Sequence, residues 1–124
     1  MLTHSEQEVF KENYWLAPDG KVGGQFLLDL RVEMDIRKII VVNTHNGHAR
    51  DRGTREFKVE MSTGAYGPWR EVVHEELPDS RRMNPVPEKE FKLVYKIKAR
   101  FVKFTLLSYW GNGGGLQYFA VSNQ

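Results

Sequence analysis

The sequence predicts an all-β fold, an antiparallel β-sandwich of roughly six or seven short strands. Apolar and polar residues alternate with a period of two along most of the chain, as in strands that bury one face. Clusters of Gly, Pro, Asn and Asp separate these segments and indicate turns. With 124 residues and no internal repeat or linker, the chain is interpreted as a single domain spanning residues 1–124.

The predicted strands differ in how strictly they alternate. Residues 57–61 and 91–98 switch regularly between apolar and charged side chains, which is typical of half-buried strands. The remaining predicted strands are richer in apolar and β-branched residues and comprise three central strands and a final one: residues 25–30, 36–43, 100–107 and 116–122. Only residues 4–12 favour a helical turn or two.

The three tryptophans are expected in different environments. The segment Ser62–Trp69 indicates a hairpin turn whose glycines allow a tight reversal, with Trp69 as a core side chain at the start of the next strand. Trp15 and Trp110 each stand beside a loop. An aromatic ring in such a position can be half buried and half available as a binding platform.

Composition and charge exclude several classes of function. The absence of cysteine excludes disulfides, cysteine metal sites and thiol catalysis. A net charge of +2, from 18 basic and 16 acidic residues, gives no reason to expect nucleic acid as a partner. No apolar run is long enough to span a membrane, and the N-terminus lacks the hydrophobic core of a signal peptide.

The loop between two predicted strands is unusually rich in side chains that recognise polar ligands. Arginine donates in a rigid fork, asparagine offers a donor and an acceptor, and neutral histidine offers one of each. A turn needs one or two such residues, whereas this loop holds seven candidates: Asn43, His45, Asn46, His48, Arg50, Asp51 and Arg52. As a set they predict a binding site for a polar ligand, with Tyr109 or Trp110 as a stacking face and Asn112 beside it.

A structural alternative exists for each residue of this loop. The histidines can brace the loop by bonding nearby carbonyls, and Asp51 can pair with either neighbouring arginine. The asparagines can make Asx-turns. If Arg52 contacts the ligand, replacing it with Ala leaves the melting temperature nearly unchanged. A large loss of stability would instead assign Arg52 to the loop architecture.

Catalysis, zinc binding and polyanion binding are weaker hypotheses. No nucleophile motif, P-loop or His-Glu-x-x-His motif is present. His45, His48 and Asp51 lie in a loop, so their spacing carries no geometric meaning for zinc. A basic strand is typical of a solvated sheet face, with polyanion binding as the alternative: Lys92, Lys96, Lys98, Arg100 and Lys103. For a lipid surface, the one matching loop tip combines Met83 and Val86 with neighbouring arginines.

Several motifs occur in the order that distinguishes a known family: Trp15, Leu28-Asp29-Leu30, the Ser62–Trp69 turn, Ala99-Arg100-Phe101-Val102 and Gly115-Leu116. Over roughly residues 13–122 the chain resembles the discoidin family, the coagulation factor V/VIII type C domains among the galactose-binding-like jelly rolls. It departs from the family pattern in having little sequence before Trp15 and no cysteine pair. It also has Leu116-Gln117-Tyr118 where many carbohydrate-binding relatives carry a glutamate.

The resemblance implies a jelly roll of about eight strands with a ligand site on the loops at one end. It places the 43–52 loop and the Trp110 loop at that end, with Trp15 and Asp19 as a third contributor. Members bind sugars, phospholipid head groups, collagen or other proteins, and the bare domain is not catalytic. Many hold a structural Ca²⁺ near the first Trp. An extracellular location is implied, although the missing cysteines and signal peptide fit an intracellular one as well.

The sequence therefore predicts a non-catalytic binding module, with a carbohydrate as the favoured ligand. The alternative is an adhesion or adaptor domain whose same loops meet a protein partner. Anionic lipid or polyanion binding is less favoured, and neither nucleic acid nor a membrane is expected as a partner. Because single modules bind sugars weakly, this one is expected to belong to a larger protein.

Overall fold

The computed structural model describes residues 6–9 and 15–124. Nine strands follow one another in this part of the chain: β1 (Glu6–Val9), β2 (Trp15–Leu16), β3 (Gln25–Asn43), β4 (Arg52–Thr54), β5 (Glu56–Ser62), β6 (Arg70–Glu76), β7 (Glu88–Leu106), β8 (Tyr109–Gly111) and β9 (Gly115–Ser122). The only helical element among the described residues is a short 3₁₀ turn, Gly47–Ala49. None of the described residues forms a helix long and apolar enough to cross a membrane. The all-β prediction is confirmed.

Two long strands organise the sandwich. β3 and β7 contain 19 residues each and pair with one another in antiparallel register over most of their length. The first half of β3 and the second half of β7 form one layer with β5 and β6. The second half of β3 and the first half of β7 form the other layer with β9, β1 and β2. Both layers are therefore built on the same pair of continuous strands.

The bends of these strands lie at two register shifts. The pairing of β3 with β7 is irregular between Asp29 and Met34 and again between Ile36 and Lys38. The sequence predicted separate strands on either side of the first irregular stretch, and the structure joins them; the second shift lies within the predicted strands 36–43 and 91–98. A β-bulge inserts extra residues and bends a strand without ending it, so periodicity alone had suggested a break.

The helical turn predicted near the N-terminus is wrong for residues 6–9, the part of it that the structure describes. Residues 6–9 form a strand that pairs with β9 from Ser122 to Phe119, whereas the sequence favoured a helical turn over residues 4–12. Pairing with an existing sheet supplies backbone hydrogen bonds that a helix of one or two turns cannot retain in water. The other residues of that expected turn lie outside the described part of the chain.

Aromatic side chains form the centre of the core. The ring of Phe104 stacks on Phe26 and on Phe57, with centroids 5.0 and 5.3 Å apart, and Phe119 packs edge-on against it. Trp15 meets Phe26 and Phe104 edge-on at 5.2 and 5.6 Å, so its ring fastens β2 to the core. Burial of each such ring stabilises the fold by roughly 1.5–3 kcal/mol.

Trp69 differs from its predicted core position. Its ring is only half-buried, and the Nζ of Lys103 lies 4.3 Å from the ring centroid. Lys103 alternates with the buried Val102 and Phe104, so this contact lies on the outer face of the sheet. Trp69 therefore covers the lysine-bearing face at the end of the hairpin turn.

Asp29 stabilises the first bend. Its Oδ1 accepts a hydrogen bond from the backbone N–H of Arg31 at 2.8 Å, and Arg31 has a left-handed φ of 73°. Arg100 donates to both carboxylate oxygens, from Nε at 3.0 Å and from Nη2 at 3.2 Å. Hydrogen bonding from Arg100, followed by that from Arg31, holds the pKa of Asp29 below its usual value.

This geometry predicts a pH-dependent contribution from Asp29. Because its folded pKa is lowered, the stabilisation is fully present above the unfolded pKa and is lost as pH falls through the folded pKa. Asp29→Asn should lower the melting temperature at about pH 7, and the difference from wild type should shrink towards about pH 2. Thermal unfolding followed by circular dichroism at both pH values measures this difference.

Asp35→Asn is the matched control for Asp29, because Asp35 is exposed and its nearest cation, Lys96 Nζ, lies 3.8 Å away. It should change the melting temperature little at either pH. An equal loss in Asp29→Asn at neutral and acidic pH would contradict an electrostatic role for Asp29.

Candidate functional site

The predicted loops meet at one end of the sandwich, called here the rim. β4 pairs with β8, which places Arg52 opposite Gly111 and Gly53 opposite Trp110. Backbone bonds from Gly53 N to Gly113 O (3.0 Å) and from Asn112 N to Asp51 O (2.7 Å) extend this contact. The structure thus brings the 43–52 loop and the Trp110 loop together as neighbouring backbone segments.

Asn43 anchors the start of the polar loop. Its side chain is buried, and Oδ1 accepts bonds from the backbone N–H groups of Thr44 and Thr54, both at 3.0 Å. Its Nδ2 donates to the carbonyl of Thr54 at 2.9 Å. These bonds join the two ends of the loop, so the amide of Asn43 holds the backbone and does not face a ligand.

Asp51 connects the two loops. Its Oδ1 accepts a bond from Asn46 Nδ2 at 2.9 Å, and its Oδ2 accepts a longer one from Asn112 Nδ2 at 3.4 Å. The backbones approach closely here: a Cβ at Gly111, which has φ 73°, would lie 2.3 Å from the carbonyl oxygen of Asp51. Three predicted site residues therefore bond to one another and hold the rim together.

Arg52 makes the strongest connection at the rim. Its Nη1 donates to the carbonyl of Ala17 at 2.7 Å, and its guanidinium forms an ion pair with Asp19. Only 13% of the Arg52 side chain is exposed. Space for the guanidinium depends on Gly113, where an added Cβ would lie 3.0 Å from Nη1. We call this set, Arg52 with Asp19 and the Ala17 carbonyl, the Arg52 clamp.

The Arg52 clamp includes Ala17 and Asp19, which lie close in sequence to Trp15, where the resemblance implies a structural Ca²⁺. The side-chain oxygens of Asp19 and the Ala17 carbonyl already face the guanidinium, which is itself a cation. Among the described residues, no group of three or more His, Asp or Glu side chains could hold a metal ion. The residues present at this place therefore do not fit Ca²⁺.

The two loop tryptophans are both engaged by the protein. Trp15 packs in the aromatic core, as described above. Trp110 is half-buried, and its Nε1 donates to the carbonyl of Leu77 at 3.0 Å. The guanidinium carbon of Arg55 lies 4.6 Å from the centre of its ring, so a cation covers one face. Trp110 fastens β8 to the segment that follows β6.

An open hollow of about 290 Å³ lies beside the start of the polar loop. We call it the rim hollow, and its lining residues are Val42, Asn43, Thr44, His45, Asn84, Pro85, Val86 and Gln117. The side chains of Asn84 and Gln117 are exposed and make no hydrogen bond or ion pair within the described residues. The rim hollow thus combines free amide groups with an apolar wall.

His45 adds an acceptor to the rim hollow. Its Nδ1 lies 3.0 Å from the carbonyl oxygen of Gly47. Because a carbonyl only accepts hydrogen bonds, Nδ1 must carry the proton, and Nε2 of the neutral ring is then an acceptor. Among the predicted site residues, His45 therefore keeps hydrogen-bonding capacity beside the hollow.

His48 and Arg50 lie further along the loop, in and after the 3₁₀ turn, and neither lines the rim hollow. His48 is exposed and makes no hydrogen bond or ion pair within the described residues. Arg50 Nη1 donates to the carbonyl of Arg81 at 3.2 Å. Both remain predicted contacts for a ligand that extends over the loop.

Sequence reasoning missed Asn84 and Gln117 as site residues. Asn84 lies in the segment whose Met83 and Val86 were considered for contact with a lipid surface and not for sugar binding. Gln117 was noted only as a departure from the glutamate of relatives. The sequence carried one signal for Gln117, because a polar residue that follows a core residue such as Leu116 in a strand points to the outer face of the sheet. In the structure, Gln117 lines the rim hollow together with Val42.

The Arg52 clamp leads to a prediction about stability. Arg52→Ala should lower the free energy of unfolding by roughly 1–3 kcal/mol, because the Ala17 carbonyl loses its partner in a partly buried site. Arg50→Ala removes an exposed arginine from the same loop and should change stability by less than about 0.5 kcal/mol. Urea unfolding of both variants measures the difference, and equal stabilities would show that the clamp contributes nothing.

Comparison with known proteins identifies a family and several solved structures that resemble this chain. Residues 3–120 match the family model described as the F5/8 type C domain. No curated protein sequence matches the chain. A solved CBM32-1 from a family 31 glycoside hydrolase of Clostridium perfringens has 14% identity and a TM-score of 0.73, with 91% of this chain and 78% of that chain covered.

Two further solved structures are similar to this chain. The family 32 CBM from C. perfringens NanJ, in complex with galactose, has 11% identity and a TM-score of 0.70, covering 94% of this chain and 90% of that one. The CBM32 of AlyQ, in complex with 4,5-unsaturated mannuronic acid, has 14% identity and a TM-score of 0.63, covering 90% and 78%. At such identities the likeness concerns the fold alone. The family match spans nearly the whole sequence, and the chain belongs to the F5/8 type C domain family.

Proposed function

We propose that this domain is a non-catalytic carbohydrate-binding module that holds a sugar unit in the rim hollow. The observation that carries the proposal is the pairing of unengaged polar groups with an apolar wall in one open hollow. His45, Asn84 and Gln117 supply hydrogen-bonding groups, while Val42, Pro85 and Val86 supply apolar surface. A sugar needs both, because its hydroxyls are polar and its C–H faces are not.

The similar structures support the carbohydrate class over other ligand classes. Three solved relatives of the same fold are carbohydrate-binding modules, and the complexes hold galactose or an unsaturated mannuronic acid. Since fold does not determine the ligand, this support is an analogy, and the specific sugar has to come from the hollow itself.

The remaining polar residues of the rim support binding indirectly. Asn43, Asp51 and Arg52 bond to backbone or to neighbouring loops, which fixes the edges of the rim hollow before a ligand arrives. A pre-organised site loses less conformational entropy on binding than a mobile one. We assign these residues to positioning, and His45, Asn84 and Gln117 to contact.

The proposal predicts which side chains contribute to glycan affinity. His45→Ala and Gln117→Ala should each weaken binding by about ten-fold, because each removes a hydrogen bond worth about 1.4 kcal/mol. Both residues are at least partly exposed, so their melting temperatures should stay near that of wild type. A glycan array identifies the ligand, and calorimetry with that glycan measures the affinities.

His48→Ala is the matched control, because it removes the same ring from the same loop at a residue outside the rim hollow. Its effect on affinity should be clearly smaller than that of His45→Ala. Binding to no glycan on the array, together with a stoichiometric protein partner, would reject the proposal in favour of an adhesion domain. Equal losses in both histidine variants would place the sugar elsewhere on the loop.

A further inference from the structure

A second hollow of about 340 Å³ lies on the same sheet, away from the rim. We call it the basic hollow, and it is lined by Arg37, Lys38, Glu90, Lys92, Leu93 and Gln124. On β3, Lys38 stands four residues before Val42, which lines the rim hollow. Residues an even number apart on a strand share one face, so Lys38 and Val42 lie on the same face of β3.

The second register shift assembles the cations of the basic hollow. Ile36 pairs with Ile97 and Lys38 pairs with Lys92, so two steps along β3 correspond to five along β7. The shift places Arg37 in the irregular stretch and sets Lys38 directly opposite Lys92. Like charges in directly opposed positions repel one another across a sheet.

Only part of this charge is neutralised within the protein. Lys38 Nζ lies 3.1 Å from Glu90 Oε1. Within residues 6–9 and 15–124, the side chains of Arg37 and Lys92 make no ion pair or hydrogen bond. Three cationic side chains and one acidic side chain therefore line this hollow, beside Gln124.

Three other cations of the basic strand are paired with acidic residues, whereas Lys98 makes no ion pair within the described part of the chain. Lys96 lies 3.8 Å from Asp35, Lys103 lies 3.8 Å from Glu60, and Arg100 binds Asp29. Glu88 and Glu90 also interrupt the positive charge on the way to the rim. A broad anionic surface, such as a lipid bilayer or a nucleic acid duplex, would meet these carboxylates, whereas a single anionic group can enter the hollow.

We propose that the basic hollow binds a sulfate or carboxylate group of an acidic glycan whose neighbouring sugar units occupy the rim hollow. The inference rests on the proposed function of the rim. Four residues of strand correspond to about 13 Å between the two places, and β3 connects them directly. The anionic group relieves the repulsion between Lys38 and Lys92 and gives Arg37 a partner.

The test compares a neutral oligosaccharide that binds the rim with its sulfated counterpart. We expect the sulfated form to bind at least ten-fold more tightly at low salt. The double variant Arg37→Ala/Lys92→Ala should lose that advantage while binding the neutral form as wild type does. Its affinity for the sulfated form should also depend less on salt concentration than that of wild type, because salt screens the ionic contacts that the variant lacks.

The double variant Lys96→Ala/Lys98→Ala removes the same amount of charge from β7 outside the basic hollow, and it should keep the preference for the sulfated form. If both double variants lose the preference equally, net charge explains it and the site is rejected. Tighter binding to anionic vesicles than to the sulfated oligosaccharide, abolished in Arg37→Ala/Lys92→Ala, also overturns the glycan assignment. If no form binds, the proposed function fails; if the neutral form binds and sulfate adds nothing, only this inference fails.

Discussion

The continuity of β3 and β7 through both layers determines where everything else lies. Each strand passes from one layer to the other near a register shift. As a result, both layers have one end at the rim. This brings β4 and β8 together and lets loops distant in sequence share backbone hydrogen bonds. The same shifts expose one group of cations on the opposite part of the sheet. The two hollows are consequences of one pair of bent strands.

The polar loop shows that a side chain can be polar without being available to bind a ligand. Most of its side chains satisfy backbone groups or one another, because a loop that leaves a sheet exposes carbonyl and N–H groups that need partners. Asn43 and Asp51 serve this need within the loop region, and Arg52 serves it across to Ala17 and Asp19. Side chains with unused hydrogen-bonding capacity, such as those of Asn84 and Gln117, come from other segments that border the loop.

The alternation of apolar and polar residues predicted the strands, but it predicted neither where they bend nor which side chains bond to one another. Periodicity identifies which residues face the core, but it does not distinguish a bulge, as between Asp29 and Met34, from a turn that ends a strand. The polar loop was recognisable from its composition. The partners of Arg52 lie more than 30 residues away in sequence, and no local pattern encodes such a contact. Resemblance to a family supplied the convergence of the loops, which spacing alone would not have given.

The separation of the two hollows has an energetic consequence for selectivity. A net contribution of about 0.5–1.5 kcal/mol per hydrogen bond gives a single sugar subsite only weak affinity. A second contact on the same glycan acts at a high effective concentration, so even a modest ionic contact multiplies the affinity. In the proposed complex, a neutral glycan leaves the side chains of Arg37 and Lys92 without an anionic partner, whereas an acidic one supplies it. Under this proposal, discrimination between the two glycans comes from the added ionic contacts in the basic hollow.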